Sequence, residues 1–320
     1  MRRRSRLAWM AAAVVTVLAV AGFGTTIATA DSASVTVYLA VNGDDDADGS
    51  SGRPLKSLRG ARDLLADIDS TSATIVVRPG TYYESATVNW AGVPQTTIAL
   101  RRDGGTERPV FDGSRATGTA RYWMDSHGGP SLDVREVLVR NYRTGGLRLD
   151  TDGNTVRNMI FEKLGNKYVG GGDGYAAVHL LGSSNNTITN NIFRKLENTD
   201  CPGCIHGVYA ANGSSDSEIT GNRFSDITGD VVRLRNGTVD NLVSDNTFSR
   251  SGSAATDRAF VSFWRFRSSE TCGSGNRVED NQYDGRYYNG TTGQRIAGSG
   301  AEPGLSRCVN AITESGNTRI

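Results

Sequence analysis

Four short apolar triplets carry a polar residue at their centre: Leu147-Arg148-Leu149, Val178-His179-Leu180, Val208-Tyr209-Ala210 and Val232-Arg233-Leu234. In an extended chain successive side chains alternate faces, so the flanking residues point one way and Arg148, His179, Tyr209 and Arg233 the other. Arg235 falls on the same side two residues beyond Arg233, and Ser262 and Trp264 continue the series in the next segment. A surface of His, Tyr, Arg and Trp suits an extended anionic sugar polymer: aromatic rings meet sugar faces, and arginine grips carboxylates with paired hydrogen bonds. For a uronate polymer the matching reaction is β-elimination, in which a cation stabilises the carboxylate while a base removes the neighbouring proton. Arg233 or Arg235 is the candidate cation, and Tyr209 or His206 the candidate base. Asp230 holds the place of His206 one repeat later, where a carboxylate could orient His206 or an arginine. Simple surface packing of His179, with Arg233 paired to Asp230 or Asp226, accounts for the same residues without catalysis.

These residues must be positioned by something periodic, and the sequence repeats itself. Asn154–Phe161, Asn186–Phe193, Ser217–Phe224, Asn241–Phe248 and Asn276–Tyr283 are copies of one phrase, with aromatic steps of 32, 31, 24 and 35 residues. No stretch between the copies has a 3.6-residue apolar period, so each copy is one turn of a β-solenoid rather than of a helical repeat. Val156, Ile188, Ile219, Val243 and Val278 should point inward and stack from coil to coil. Asn191, Asn222, Asn246 and Asn281 sit at a turn where each amide can bond its copy about 4.8 Å away, and asparagine tolerates the left-handed backbone such a turn needs. The aromatics should stack likewise. The residues that lengthen the long coils, 165–175, 197–205 and 249–258, fall between the aromatic and the next triplet, so they should wall a groove beside the polar row.

The composition fits such a fold. Of 320 residues 39 are Gly and 7 Pro, 37% are hydrophobic and 22% charged, which excludes a disordered or collagen-like polymer. Residues 1–30 read as a secretory signal: Arg2, Arg3, Arg4 and Arg6, an apolar run, then Ala28-Thr29-Ala30. Its removal leaves 31 basic against 34 acidic residues, a net charge of −3, which argues against a nucleic-acid partner. A secreted monomer, free of the membrane after cleavage, is expected. Cys201, Cys204, Cys272 and Cys308 all lie in the exported part and make two disulfides, the shortest links being Cys201 with Cys204 and Cys272 with Cys308.

From Val35 to about Asp284 the sequence resembles the right-handed parallel β-helix proteins of the pectate lyase-like superfamily. Val37–Gly49, Arg53–Leu58 and Ile75–Tyr82 resemble the opening strand, capping helix and first coil of that group. The expected organisation is an all-β, single-stranded right-handed parallel β-helix over 31–285. It includes a capping helix near 57–68 with apolar Leu58, Ala61, Leu64, Leu65 and Ile68, and is followed by a C-terminal cap over 286–320. Gly229–Gly237 resembles the arginine-bearing strand of alginate-lyase-like β-helices. That resemblance implies a catalytic Arg233 and an acidic Asp230 that helps bind calcium, although Tyr209 stands where that family keeps a lysine base.

Asp44, Asp46 and Asp48 open a DxDxDG pattern that could hold a structural Ca2+, but position twelve is Leu55 rather than Glu, and the run reads more readily as an ordinary acidic surface turn. Asn198-Thr-Asp200, His206-Gly207 and Arg233-Leu-Arg235 imitate motifs of polygalacturonase-like hydrolases, with Asp173, Asp200 and Asp230 as possible acids. Hydrolysis needs two carboxylates about 5–9.5 Å apart, and no adjacent-coil pair is clear on the row. The expectation is therefore a lyase acting on an acidic polysaccharide, with Arg148, His179 and Trp264 binding substrate. A hydrolase and a non-catalytic glycan-binding or cell-envelope protein are the alternatives.

Overall fold

The computed structural model describes residues 34–116, 122–171, 174–253 and 258–320. The signal segment and Asp173 lie outside the described residues. Short β-branched strands are interrupted by Asn, Asp and Gly turns, and each complete coil adds one strand to each of three sheets. Among the described residues the sheets have ten, eight and nine strands, and the neighbours pair in parallel, each with the equivalent strand of the adjacent coil. A coil runs, for example, through Gly145–Leu149, Thr155–Arg157 and Ile160–Leu164, one strand in each sheet. Only a closed stack can bury the apolar face of such short strands.

The inward column is in register as the repeat predicts: Val156, Ile188, Ile219, Val243 and Val278 are paired coil to coil and buried. Phe161, Phe193, Phe224 and Phe248 stack with centroids 4.6–5.2 Å apart. The stack then departs from expectation: Phe260, from a different segment, inserts between Phe248 and Tyr283, at 5.6 and 6.1 Å.

The asparagine ladder forms. The Nδ2 of Asn191, Asn222, Asn246 and Asn281 each donates to the Oδ1 of the next coil, at 2.9, 3.0, 3.0 and 2.9 Å, ending on Asn317. The ladder residues themselves are not left-handed. That backbone falls one position earlier, on Asn158, Asn190, Gly221, Asp245, Asp280 and Gly316, with φ of 52–66°. The division of labour is physical: the left-handed residue turns the chain outward, and the next amide is thereby buried with its donors facing the stack. A second amide and hydroxyl ladder, through Asn154, Asn186, Ser217, Asn241 and Asn276, supports the bend that leads into the ten-stranded sheet.

At the start of the solenoid the helix spans Leu58–Ala66 and buries Leu58, Ala61 and Leu65 against the first strands. Ser57 caps it, its hydroxyl accepting from the Gly60 N–H. Asp45 holds that cap, accepting from the N–H groups of Lys56 and Ser57 and from the Ser57 hydroxyl. At the other end the coil continues beyond the expected boundary at residue 285. Ala297–Ala301, Ile312–Ser315 and Thr318–Arg319 add one more strand to each sheet. The disulfides are Cys201–Cys204 and Cys272–Cys308, the second tying this last coil to the one before it.

Candidate functional site

The eight-stranded sheet carries the polar row in the expected register. Arg148, His179, Tyr209, Arg233 and Ser262 are successive partners across five strands. Their neighbours Leu147, Val178, Val208 and Val232 belong to the solenoid core, whereas Tyr209 packs in a small separate cluster outside it. The row is therefore on the outer face, as alternation requires. It is not open to solvent, however: His179, Tyr209 and Arg233 are only 5–6% exposed. The cover is made by the row itself and by the inserted loops. His179 lies between the rings of Tyr175 and Tyr209, at 5.3 and 4.7 Å, and the Arg233 guanidinium lies under Trp264 at 5.5 Å.

Arg233 is held by Asp230, as the plain ion-pair reading predicts. Its Nε and Nη2 donate to the two carboxylate oxygens at 2.7 and 2.6 Å. Asp230 is fully buried and also accepts from the Ser262 hydroxyl; its Oδ1 is 3.1 Å from His206 Nδ1 and 3.9 Å from Arg258 Nη1. Burial alone would raise the Asp230 carboxyl, but Arg233 and His206 outweigh it and hold the group far below the usual carboxylate range. Gly229 makes the packing possible, since a Cβ there would lie 2.2 Å from the Ile205 carbonyl and 3.1 Å from His206 Nδ1. Asp230 does not fit the calcium role that the resemblance implies, because a carboxylate saturated by a guanidinium and a second arginine is a poor cation ligand.

His206 is 2% exposed, and its Nδ1 lies 2.7 Å from the Asp230 backbone oxygen. Burial pushes its imidazole down, against the opposing pull of Asp230, so it is a neutral, anchored ring. Tyr209 has the freer chemistry. Its hydroxyl accepts from Arg235 Nη1 at 2.8 Å, while Nε and Nη2 of Arg235 are held by Glu270. Desolvation would lower Arg235, but the Glu270 hydrogen bond raises it, so the cation beside Tyr209 is permanent.

These groups line a cleft of about 540 Å³, walled by the Cys201–Cys204 turn and by Tyr175, Asp200, Trp264, Phe266, Arg258, Arg267 and Glu302. The insertions thus do wall the row. Trp264 lines the cleft as expected, its Nε1 donating to Glu302 at 3.1 Å and its ring 4.1 Å from the Arg258 guanidinium. Arg148 and His179 line an adjoining cavity of about 370 Å³ that shares Tyr175, Tyr209, Arg235 and Arg267 with the cleft. Arg148 is tied to Asp125 at 2.8 Å, and His179 Nδ1 lies 2.8 Å from the Tyr122 hydroxyl. Burial and then the Arg148 charge push His179 down to about 3.

Arg258, Arg267, Glu270 and Glu302 were not legible as site residues. Arg258 closes a lengthened coil, and Glu270 lies 35 residues after Arg235, one coil in this part of the chain, which is the only signal for either. Two carboxylates of the acidic run near the N-terminus are engaged locally. Asp44 and Asp48 accept from the backbone N–H groups of Asp46 and Ser50, and Asp48 pairs with Arg53. Among the described residues, ligand atoms of Asp125, His127 and Asp150 lie within 4.8 Å of one another, and Arg148 already bridges the two carboxylates.

A model of the right handed beta helix region matches residues 123–301, so the chain belongs to that family. No curated protein matches it. Among solved structures it is similar to a rhamnogalacturonan lyase, at 15% identity over 79% of this chain and 68% of that one, with a TM-score of 0.49. It is also similar to an alginate lyase from Paenibacillus sp. str. FPU-7, at 14% identity over 88% and 99% of the two chains, with a TM-score of 0.48. A third is the pectate lyase Pel9A, at 15% identity over 89% and 78%, with a TM-score of 0.44. Among the described residues no helix is long and apolar enough to cross a membrane.

Proposed function

We propose that this protein is a secreted polysaccharide lyase that cleaves an acidic, uronate-containing glycan by β-elimination at Tyr209. The observation that carries the reading is the hydrogen bond from Arg235 to the Tyr209 hydroxyl, inside a cleft lined by Arg233, Arg258 and Arg267 as well. The hydroxyl oxygen that accepts from this fixed cation is held in one position at the cleft, which suits it to proton transfer with a bound substrate. Phenolate takes the proton from the carbon beside the carboxylate, the freed electron pair forms the ring double bond, and the glycosidic bond to the β-carbon breaks. The departing oxygen then takes the proton from Tyr209, which restores the phenolate. Arg233, aimed by Asp230 through two of its nitrogens, offers Nη1 to the substrate carboxylate. His206 is assigned to positioning, since its Nδ1 is engaged by Asp230 and its ring is neutral. Two disulfides support export to an oxidising compartment.

The test is incubation with a panel of acidic polysaccharides, followed by the ultraviolet absorbance of the unsaturated uronate product. Tyr209→Phe is expected to lower turnover at least about a hundredfold with an unchanged melting curve. It deletes one hydroxyl, whose partner Arg235 keeps Glu270. Arg233→Ala, natural from sequence alone, is a poor probe because it strands the buried Asp230. Full activity in Tyr209→Phe refutes the assignment. New reducing ends without the absorbance would favour hydrolysis through Asp200 and Glu302, which line the same cleft. Binding with neither signal would favour a glycan-binding module.

A further inference from the structure

Behind the Cys201–Cys204 turn lies a second cavity, of about 500 Å³, that the proposed reaction does not use. Pro202 of that turn lines both this cavity and the cleft, so one loop separates them. At its base Glu197 is 4% exposed and accepts from Lys167 Nζ at 2.6 Å and from the Tyr288 hydroxyl. Lys167 and Glu197 cancel in charge, so the cavity has no attraction for an anion. Asn198 is fully buried, and its Oδ1 accepts from the N–H groups of Asp200 and Cys201, both at 3.2 Å, which fixes the amide orientation. Its Nδ2 has no hydrogen-bond partner among the described residues. A buried donor without an acceptor is a cost that a fold rarely carries unless something outside the chain relieves it.

We propose that this cavity binds a neutral sugar unit, carried as a branch on the acidic polymer whose main chain lies in the cleft. The branch assignment rests on the proposed lyase reading, whereas the sugar site does not. The Tyr288 ring and Pro202 give an apolar wall for a pyranose or furanose face, and the carboxylate, ammonium and amide supply the alternating acceptors and donors that neighbouring hydroxyls need. A linear uronate chain would occupy the cleft alone.

The test is saturation-transfer NMR of the whole protein with D-galactose, L-arabinose, L-rhamnose, D-xylose and D-galacturonate, each alone. At least one neutral sugar is expected to receive saturation, and added galacturonate is expected not to displace it. Tyr288→Phe and Lys167→Met, checked for unchanged melting, should each weaken that binding about tenfold. Absence of binding by every neutral sugar at millimolar concentration, or binding undiminished in both variants, overturns the site. Because free-sugar binding needs no turnover, this result is independent of the lyase test. If lyase activity is present, a rate indifferent to enzymatic removal of neutral branches from the polymer overturns the branch assignment.

Discussion

Replacing Asp230 by asparagine tests the centre of the site. The carboxylate is fully buried and touches Arg233 through two short hydrogen bonds, Ser262 through a third and His206 at 3.1 Å. Removing one member of a buried ion pair leaves the other charge uncompensated, at about 3–5 kcal/mol. Asparagine keeps one acceptor for Arg233, so the expected loss lies at the lower end, about 3 kcal/mol. Urea unfolding followed by circular dichroism at neutral pH reads it directly. The acid limb gives an independent check. The folded carboxyl is held well below its unfolded value, so the native state binds its proton later, and its stabilisation is complete above about pH 4 and is lost as pH falls toward the depressed value. The deficit of the variant should therefore narrow by roughly 1.4 kcal/mol for each pH unit below about 4. The double variant Asp230→Leu/Arg233→Met, which removes both charges, should recover at least half of the loss. A single variant within about 1 kcal/mol of wild type, or a deficit unchanged at about pH 3, refutes the buried-pair account.

Asn246→Ala removes two bonds donated by Nδ2, to Ile219 and Asn281, and two accepted from Asn222, all in the buried ladder. A loss of about 2–4 kcal/mol is expected in denaturant unfolding; less than half of the lower figure would mean that water replaces the amide. The two disulfides should differ in weight, roughly 4 kcal/mol for Cys272–Cys308 across 36 residues and roughly 2 for Cys201–Cys204 across three, on loop-closure entropy. Cys272→Ser/Cys308→Ser should then melt clearly below Cys201→Ser/Cys204→Ser, and the reverse order would contradict it. His179, pushed down to about 3 by burial, stays neutral in the fold while the unfolded chain takes up a proton below its ordinary value. Stability should fall on acidification from about pH 6.5, and His179→Gln should remove a distinct part of that slope, the remainder coming from the similarly buried His206.

What the sequence made legible is whatever recurs at each coil. Val156 to Val278, the asparagine ladder and the polar row are each set by alternation along strands stacked in register, and all three stand where periodicity puts them. What it hid is what arrives without a period. Phe260 enters the aromatic stack from a loop. Arg258 and Glu302 reach the cleft from segments of unequal length, and the exposure of the row depends on them: alternation decides which face Tyr209 and Arg233 occupy, but only the loops decide that this face is covered. The acidic run of the DxDxDG pattern has a local structural role. Asp45, between the residues singled out for calcium, braces the Ser57 cap of the helix, and Asp44 and Asp48 bend back onto their own backbone.

The arginines of the row share one arrangement, and it bears on how an anion would be recognised. Arg148 is tied to Asp125, Arg233 to Asp230 and Arg235 to Glu270. Each acid engages part of a guanidinium and fixes its plane, which leaves the remaining donors aimed in a direction that side-chain entropy would otherwise blur. The local charges nearly cancel, so the cleft does not act as a long-range attractor of anions; attraction beyond about 8 Å would in any case be screened at physiological salt. Its selectivity must then come from contact geometry, from where a carboxylate sits relative to Arg233 and the Tyr209 hydroxyl. The buried acids do not weaken such a site. They convert flexible cations into oriented ones, and an elimination needs the proton, the carboxylate and the leaving oxygen held in one fixed relation.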